Sequence, residues 1–312
     1  AAVATVATAV GSWSSADAGM MADKREQSEH ERKLAEGQKF AADAFMKAAA
    51  DERRRAMFGM EAKKAAQQSV GSYELLRTMD HDTSSFTQGL EIDPGSGVIY
   101  EGTGLYGQSR LRKLDLKTGQ PVWTSEYMDK KYFGEGITII HQPGGQDKLL
   151  QLTWRERTAF VYSLPDMKLI KTFEYTTETN QGWGAAYNAA TNQIVISDGS
   201  AWLMFWDAES FEEVRRVRVH LAKKPIKHLN EIDMYKGDLL ANVWFQDRIL
   251  RIDLESGNVK EVYEFSGLWP KDDRPKEADC FNGIAVDHER DTVYLTGKLW
   301  PKVYEVRLIA PP

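Results

Sequence analysis

One carboxylate in the sequence lies in a setting that could give it unusual chemistry. Glu135 stands between two glycines in the segment KYFGEGITII, residues 131–140, at the start of an apolar run typical of a β-strand. Glycine inside a strand pattern indicates a bulge or a place where a ligand approaches the backbone. A carboxyl group beside apolar surface can acquire the pKa of a general acid or base. The alternative is a solvated residue at a strand edge, which is the usual position of glutamate.

Four other segments resemble the one around Glu135, and the five together form an internal repeat. Each has a polar or aromatic residue, then a glycine or glutamate, then an apolar strand: FTQGLEID, YFGEGITI, QGWGAAYN, HLNEIDMY and CFNGIAVD. The anchor positions are Gly89, Gly136, Gly184, Glu231 and Gly283, which are 47, 48, 47 and 52 residues apart. A period of this length is typical of propellers, whose blades contain four strands each.

The segments between the anchors predict the other strands of each repeat. Two further strands follow every anchor, and an outer strand follows in the first four repeats, for example PVWTSEYM and KLIKTFEY. The fifth repeat ends without an outer strand, but SYELLRTM at residues 72–79 has the pattern to supply it. We therefore predict an all-β fold over residues 72–309, a five-bladed β-propeller closed by its N-terminal strand.

In a propeller the innermost strands face a central channel, so equivalent positions of the five repeats converge. The residues before the anchors are Gln88, Glu135, Trp183, Asn230 and Asn282, and the ends of the second strands add Trp154, Trp244 and Lys298. Apolar walls with a few convergent polar groups are typical of a small-molecule pocket.

Each of these residues also has a purely structural interpretation. The tryptophans could pack between blades, and the amides could satisfy buried backbone groups. Glu135 and Lys298 could form a structural ion pair. The coincidence of all of them at one end of the repeats favours a functional site.

Residues 1–70 differ sharply in composition from the rest of the chain. They are rich in alanine and in charged residues, which predicts a mostly helical extension. The extension is either solvated or an arm through which residues 17–68 dock on a protein partner. The missing initiator Met is consistent with cleavage of a leader, and hence with the secretory pathway or an organelle lumen such as the plastid. A shortened chain would look the same.

Composition excludes several classes of protein. The formal net charge is −6 and the basic residues form no large cluster, so nucleic acid is not an expected partner. The longest apolar run is too short to span a membrane. The histidines are dispersed, so no catalytic metal is expected, although a structural ion is compatible with the sequence. Cys280 is expected to be a buried small residue.

The chain resembles the plant and bacterial glutaminyl-peptide cyclotransferases, which are five-bladed propeller glutaminyl cyclases. The similarity covers roughly Tyr73 to Leu308. Its most specific stretches are FTQGL, GTGLYGQSRLRKLDLKTG, FGEGIT, LTW, GWG, LNEI, ANVWFQDRILRID, FNGIA and TGKLWPK. No counterpart of the arm before residue 71 is recognisable in the family core.

The resemblance implies roles for individual residues. The catalytic group is Glu135, Asn230 and Lys298, and the substrate-binding group is Phe86, Gln88, Phe133, Trp154, Trp183, Trp244 and Asn282. Glu135 would be the acid/base, and either Asn230 or Lys298 would stabilise the oxyanion. Two positions depart from the family pattern: Gln181 replaces a usual Glu before GWG, and Ser163 replaces a common Asp after FVY.

Such an enzyme converts the N-terminal glutamine of a peptide or protein into pyroglutamate, without a cofactor. A second hypothesis is that the propeller is a subunit of a larger assembly, docked by its N-terminal helices. A third is a propeller lactonase or hydrolase, which would need a metal held by axial carboxylates. Among the five positions before the anchors only Glu135 is a carboxylate.

Overall fold

The computed structural model describes residues 70–93, 95–142 and 144–311. The predicted helical extension and its docking segment 17–68 lie outside these residues, apart from Val70, which begins the first strand. In this part of the chain the only helical element is a short 3₁₀ helix, Lys271–Asp273. No helix there has the length and hydrophobicity needed to cross a membrane.

The first strand is followed by three repeats of four antiparallel strands each. The first strand is β1 (Val70–Asp80). The first repeat contains β2 (Thr87–Asp93), β3 (Val98–Thr103), β4 (Arg110–Asp115) and β5 (Pro121–Thr124). The second contains β6 (Gly134–Ile140), β7 (Lys148–Thr153), β8 (Thr158–Ser163) and β9 (Lys168–Glu174). The third contains β10 (Ala185–Asn188), β11 (Gln193–Ile196), β12 (Trp202–Asp207) and β13 (Glu213–Arg218).

The last two repeats belong to one eight-stranded sheet. A small hairpin, β14 (His220–Leu221) and β15 (Lys224–Pro225), precedes them. The fourth repeat contains β16 (Leu229–Tyr235), β17 (Asp238–Val243), β18 (Arg248–Ile252) and β19 (Val259–Glu264). The fifth contains β20 (Phe281–Asp287), β21 (Thr292–Gly297) and β22 (Lys302–Ile309).

Strand β1 supplies the outer strand that the fifth repeat lacks. It pairs antiparallel with β22 from Ser72↔Ile309 to Asp80↔Lys302, which confirms the pairing predicted for residues 72–79. Its first two residues also pair in parallel with β19, through Val70↔Val262, and this contact joins the last two repeats into one sheet. The two ends of the described chain are therefore held together by backbone hydrogen bonds.

The innermost strands of successive repeats lie against one another. Contacts run in chain order from β2 through β6, β10 and β16 to β20, and β20 also contacts β2. The anchor glycines allow this approach, since a Cβ on Gly184 would lie 2.3 Å from the Asn230 carbonyl oxygen. The repeated glycine in the sequence thus marks backbone contact between neighbouring repeats.

Hydrophobic cores fill the space between neighbouring sheets. Leu150 of the second repeat shares a core with Trp206 of the third, and Leu90 of the first repeat shares one with Tyr294 of the fifth. Inner strands such as β6 and β16 are buried at every position, whereas β5 is exposed at every position. The result is an all-β fold whose sheets form a nearly closed, propeller-like arrangement.

Candidate active site

Glu135 is buried on the innermost strand β6 and is only 4% exposed. Its Oε1 accepts a hydrogen bond of 3.2 Å from the Gln88 side-chain amide, and its Oε2 has no hydrogen-bond partner in the described part of the chain. Burial raises the pKa of the Glu135 carboxyl well above its usual range; the positive charge of Lys298 opposes this rise and the charge of Glu156 adds to it. The solvated-edge alternative is therefore wrong.

The glycines on either side of Glu135 allow its strand to lie close to its neighbours. A Cβ on Gly134 would lie 2.7 Å from the Thr103 carbonyl oxygen, and one on Gly136 would lie 2.4 Å from the Trp183 carbonyl oxygen. The Gly136 amide also donates a 2.7 Å hydrogen bond to that Trp183 oxygen. The neighbouring backbones therefore leave no room for a side chain at positions 134 and 136. Glu135 is the only one of these three residues that has a side chain.

Five aromatic residues that were predicted to line the pocket form what we call the aromatic cage: Phe86, Phe133, Trp154, Trp183 and Trp244. They lie in two groups, and the rings within each group contact one another. The ring centroids of Phe133 lie 6.2 Å from Phe86 and 5.5 Å from Trp154. The centroids of Trp183 and Trp244 lie 5.2 Å apart in an edge-to-face arrangement. All five residues were predicted to line the pocket, and the structure brings them together within these two groups.

Gln181 links the two groups. Its Oε1 accepts hydrogen bonds from the indole N–H of Trp154, at 2.6 Å, and from that of Trp183, at 3.1 Å. One side-chain oxygen therefore fixes the orientation of two walls, and we describe Gln181 as a positioning residue. Sequence reasoning singled it out only as a departure from the family pattern, although its place two residues before Trp183 was a usable signal.

Lys298 lies on the Phe86 side of the cage. Its Nζ is 4.9 Å from the Phe86 ring centroid, and its side chain is buried. The loop that carries it is held by hydrogen bonds from Lys298 N to the Cys280 carbonyl and from Leu299 N to the Ser85 carbonyl. Glu135 accepts its hydrogen bond from Gln88 rather than from Lys298, so the structure gives no support to a simple structural ion pair.

The two predicted asparagines differ in what they contact. The Asn282 amide donates to the backbone oxygens of Thr87, at 3.1 Å, and Gln88, at 3.5 Å, so it supports the strand that carries Gln88. Asn230 is buried at the start of β16, and its backbone oxygen accepts from the Ser197 hydroxyl. The roles of both in substrate binding or catalysis stay predictions.

Glu156 is a second residue that sequence reasoning missed. Its carboxylate accepts hydrogen bonds from the Tyr106 hydroxyl, at 2.8 Å, and from the Phe133 amide, at 3.2 Å. Tyr106 also packs edge-on against Phe133, with centroids 5.3 Å apart. Glu156 therefore holds one wall of the cage and places a negative charge near Glu135.

The segment that leads into Phe86 is held by a buried charged network. His81 Nε2 lies 2.9 Å from Glu101 Oε1, and Thr87 donates to the same oxygen. Arg112 donates to the Ser85 hydroxyl at 2.6 Å. These contacts fix the start of β2 against β3 and β4 of the first repeat.

Five further carboxylates lie on the innermost strands: Glu91, Asp93, Glu231, Asp233 and Asp287. Counting only the positions before the anchors therefore underestimated the acidic groups near the axis. Within the described ranges, no group of three or more His, Cys, Asp or Glu side chains is arranged to hold a metal ion. Cys280 is buried and free, as predicted.

Comparisons with known proteins identify the family to which this chain is similar. The family model for glutamine cyclotransferases matches residues 46–308. This match begins upstream of Tyr73, where the sequence analysis placed the start of the similarity to the family. The chain is 34% identical over 243 residues to glutaminyl-peptide cyclotransferase of Arabidopsis thaliana, covering 77% of this chain and 72% of that protein. The crystal structure of Myxococcus xanthus glutaminyl cyclase is similar with a TM-score of 0.67 and 33% identity, covering 78% of this chain and 98% of that one. Sequence and structure together establish that this chain belongs to the glutamine cyclotransferase family.

Proposed function

We propose that this chain is a glutaminyl-peptide cyclotransferase, which converts the N-terminal glutamine of a peptide or protein into pyroglutamate and releases ammonia. The observation that carries the proposal is the buried Glu135 carboxylate beside the aromatic cage: one oxygen is bonded to Gln88, and the other has no hydrogen-bond partner among the described residues. Family membership and the names of the Arabidopsis and Myxococcus relatives support the same activity.

The reaction joins two groups of one residue. The α-amine attacks the γ-carboxamide carbon, the new C–N bond closes a five-membered ring, and the tetrahedral intermediate expels the amide nitrogen as ammonia. Because both reacting groups belong to the substrate, the main task of the site is to hold them in the reactive conformation. The faces of Phe133, Trp154 and Trp183 would pack on the aliphatic part of the glutamine and exclude water.

Glu135 would carry the proton between the two nitrogens. Its ionised Oε2 accepts a proton from the attacking amine and then delivers it to the departing nitrogen. Such a group works best when its pKa lies near the working pH, and burial raises the pKa of Glu135 in that direction. Gln88, which donates to Oε1, leaves Oε2 for the substrate.

The negative oxygen of the intermediate needs a donor or a positive charge nearby. We assign this role to Lys298, because its ammonium lies at the Phe86 wall and its charge acts on Glu135. Asn230 is the second candidate, since its side chain is also predicted to point into the cage. The aromatic surroundings strengthen either interaction by lowering the local dielectric constant.

The test uses the full chain and a synthetic peptide that begins with glutamine. Mass spectrometry should show loss of one ammonia, and a coupled assay should detect the released ammonia. The same peptide with an acetylated α-amine is the matched control, because it has no nucleophile and should not react. Absence of ammonia release from the free peptide would overturn the proposal.

The proposed reaction uses no metal or other cofactor. Acid/base transfer by Glu135 and charge stabilisation by Lys298 account for every step above. We therefore expect the rate constant kcat to be unchanged after dialysis against EDTA. Activity lost in EDTA and restored by zinc would contradict this, whereas a lower melting temperature alone would indicate a structural ion.

We further propose that the scaffold is a five-bladed propeller. The eight-stranded sheet would count as two blades, joined only where β1 meets β19 at Val70 and Gly71. The contact of β20 with β2 supports closure of the ring. Deletion of residues 1–69 should leave a folded protein, whereas deletion through Met79 should expose the edge of β22 and cause aggregation.

A further inference from the structure

The connection between the third and fourth repeats, residues 219–229, is unusual in its backbone. It contains the hairpin β14–β15, whose two turn residues, Ala222 and Lys223, both have positive φ, at 49° and 66°. Such a turn normally contains asparagine or glycine, because other residues are strained there. A lysine is thus held in a conformation that its own backbone disfavours.

The same connection carries only positive charge. Lys223, Lys224 and Lys227, which we call the lysine rim, are exposed, and the segment contains no acidic residue. The corresponding connections at residues 81–86, 125–133, 175–183 and 265–280 contain at least as many acidic as basic residues. The lysine rim is therefore a region of positive charge in a protein whose net charge is −6.

The lysine rim is continuous with the wall of the candidate active site. His228, the residue after Lys227, accepts a 2.8 Å hydrogen bond from the Trp244 amide and donates one of 2.9 Å to the Gly199 carbonyl. Gly199 packs directly on the indole of Trp183, since a Cβ there would lie 2.7 Å from the ring. The lysines thus begin one residue away from the contacts that hold Trp183 and Trp244.

A groove of about 440 Å³ lies beside the hairpin. Lys223 and His220 line it together with Arg216 and Arg218. Arg216 is neutralised by ion pairs with Glu213 and Glu178. Glu255 also lines the groove and pairs with Arg215, so among the described residues Lys223 and Arg218 are the groove cations without an ion pair. Positive charge is therefore present along residues 223–227, and the next residue, His228, contacts the backbone of Trp244.

We propose that the lysine rim binds acidic side chains of the substrate downstream of its N-terminal glutamine. This inference rests on the proposed function. The connection 219–229 ends at the backbone contacts of Trp244, so a peptide whose first residue occupies the cage could pass over it, and its positive charge would attract acidic side chains there. The rim would then favour acidic peptides and disfavour basic ones.

The experiment compares three peptides that begin with glutamine and differ only in downstream residues, which are acidic, neutral or basic. At low salt kcat/KM should be highest for the acidic peptide, by roughly tenfold over the neutral one, because each exposed ion pair contributes about two- to fivefold. The difference should shrink at about 1 M salt, where exposed charges are screened within roughly 3 Å.

Charge reversal assigns the effect to the rim. The triple variant Lys223→Glu, Lys224→Glu, Lys227→Glu should reverse the preference while leaving turnover of the neutral peptide unchanged. The matched control is Lys117→Glu, Lys168→Glu, Lys171→Glu, three exposed lysines in the first two repeats, which should keep the wild-type preference.

The outcomes separate this inference from the proposed function. If the wild-type protein cyclises none of the peptides, the proposed function fails. If it cyclises all three equally, or if the rim variant retains the acidic preference, the activity stands and the lysine rim is not its specificity surface.

Discussion

Two sets of buried carboxylates lie on the innermost strands and differ in what they bond to. Glu135 has one oxygen bonded to the Gln88 amide and one without a partner in the described chain. In contrast, Glu231 accepts from the backbone amides of Leu90 and Ile284, using one oxygen for each. Asp233 likewise accepts from the amides of Met234 and Val286.

The pKa does not distinguish the two sets. Burial raises the pKa of Glu135 and of Glu231 well above the usual range in both cases. A buried polar atom without a partner costs roughly 1–3 kcal/mol, so proteins rarely retain one without a reason. Among these buried carboxylates, the oxygen without a partner in the described chain, and not the shifted pKa, distinguishes Glu135.

The strongest effect is expected at Glu135, the proposed proton carrier. Glu135→Gln should lower kcat by about 10²- to 10⁴-fold, because the amide keeps the shape but cannot transfer a proton. The variant should remain folded, as judged by circular dichroism and its melting temperature. Turnover close to that of the wild type would show that Glu135 is as structural as Glu231.

The second prediction concerns Glu231, whose carboxylate accepts hydrogen bonds from backbone amides. Glu231→Ala should destabilise the protein by about 2–6 kcal/mol, since it leaves two buried backbone amides without their acceptors. The measurement is the free energy of unfolding in denaturant. Glu231→Gln is the matched control, because it keeps one acceptor and should lose less stability. If Glu231→Ala were as stable as the wild type, the contrast between the two sets would fail.

Gln181 should affect catalysis through the orientation of the indoles. Gln181→Leu removes the acceptor shared by Trp154 and Trp183, and kcat/KM should fall by roughly tenfold, about 1.4 kcal/mol, as for the loss of one buried hydrogen bond. Gln181→Glu keeps an acceptor and should restore most of the activity. Equal activity in the leucine and glutamate variants would show that the bridge has no positioning role.

The smallest effect concerns pH. Glu135 must be ionised to accept a proton, so kcat/KM should fall as the pH drops through its raised pKa. The charge of Glu156 adds to that rise, so Glu156→Gln should lower the pKa and move the acidic limb of the profile to lower pH.

Lys298→Met should move the acidic limb of the profile to higher pH, because the Lys298 charge opposes the rise in the pKa of Glu135. The pH profile of kcat/KM for each variant is normalised to its own maximum, so that a change in the maximal value does not obscure the shift of the acidic limb. Shifts in the same direction for both variants would contradict the electrostatic explanation.

The sequence alone determined the repeat and most of the cage. The spacing of Gly89, Gly136 and Gly184 reports a local requirement, since inner strands that touch leave no space for a Cβ. The missing outer strand of the fifth repeat identified SYELLRTM as the segment that pairs with β22. Glu135 could be found because both of its neighbours are glycine, a signal that stands within three consecutive residues.

The hydrogen bonds between repeats, which separate the polar groups of the scaffold from those of the candidate site, are visible in the tertiary structure alone. Glu231 occupies an anchor position where the other repeats have glycine, yet its oxygens bond to amides 141 and 53 residues away. The bridge from Gln181 to Trp154 spans 27 residues, and the bond from Gln88 to Glu135 spans 47. The sequence of one strand indicates which side chains alternate between its two faces and where a neighbouring backbone lies close. A hydrogen bond between repeats depends on how neighbouring sheets are placed, and no short segment of sequence contains that information.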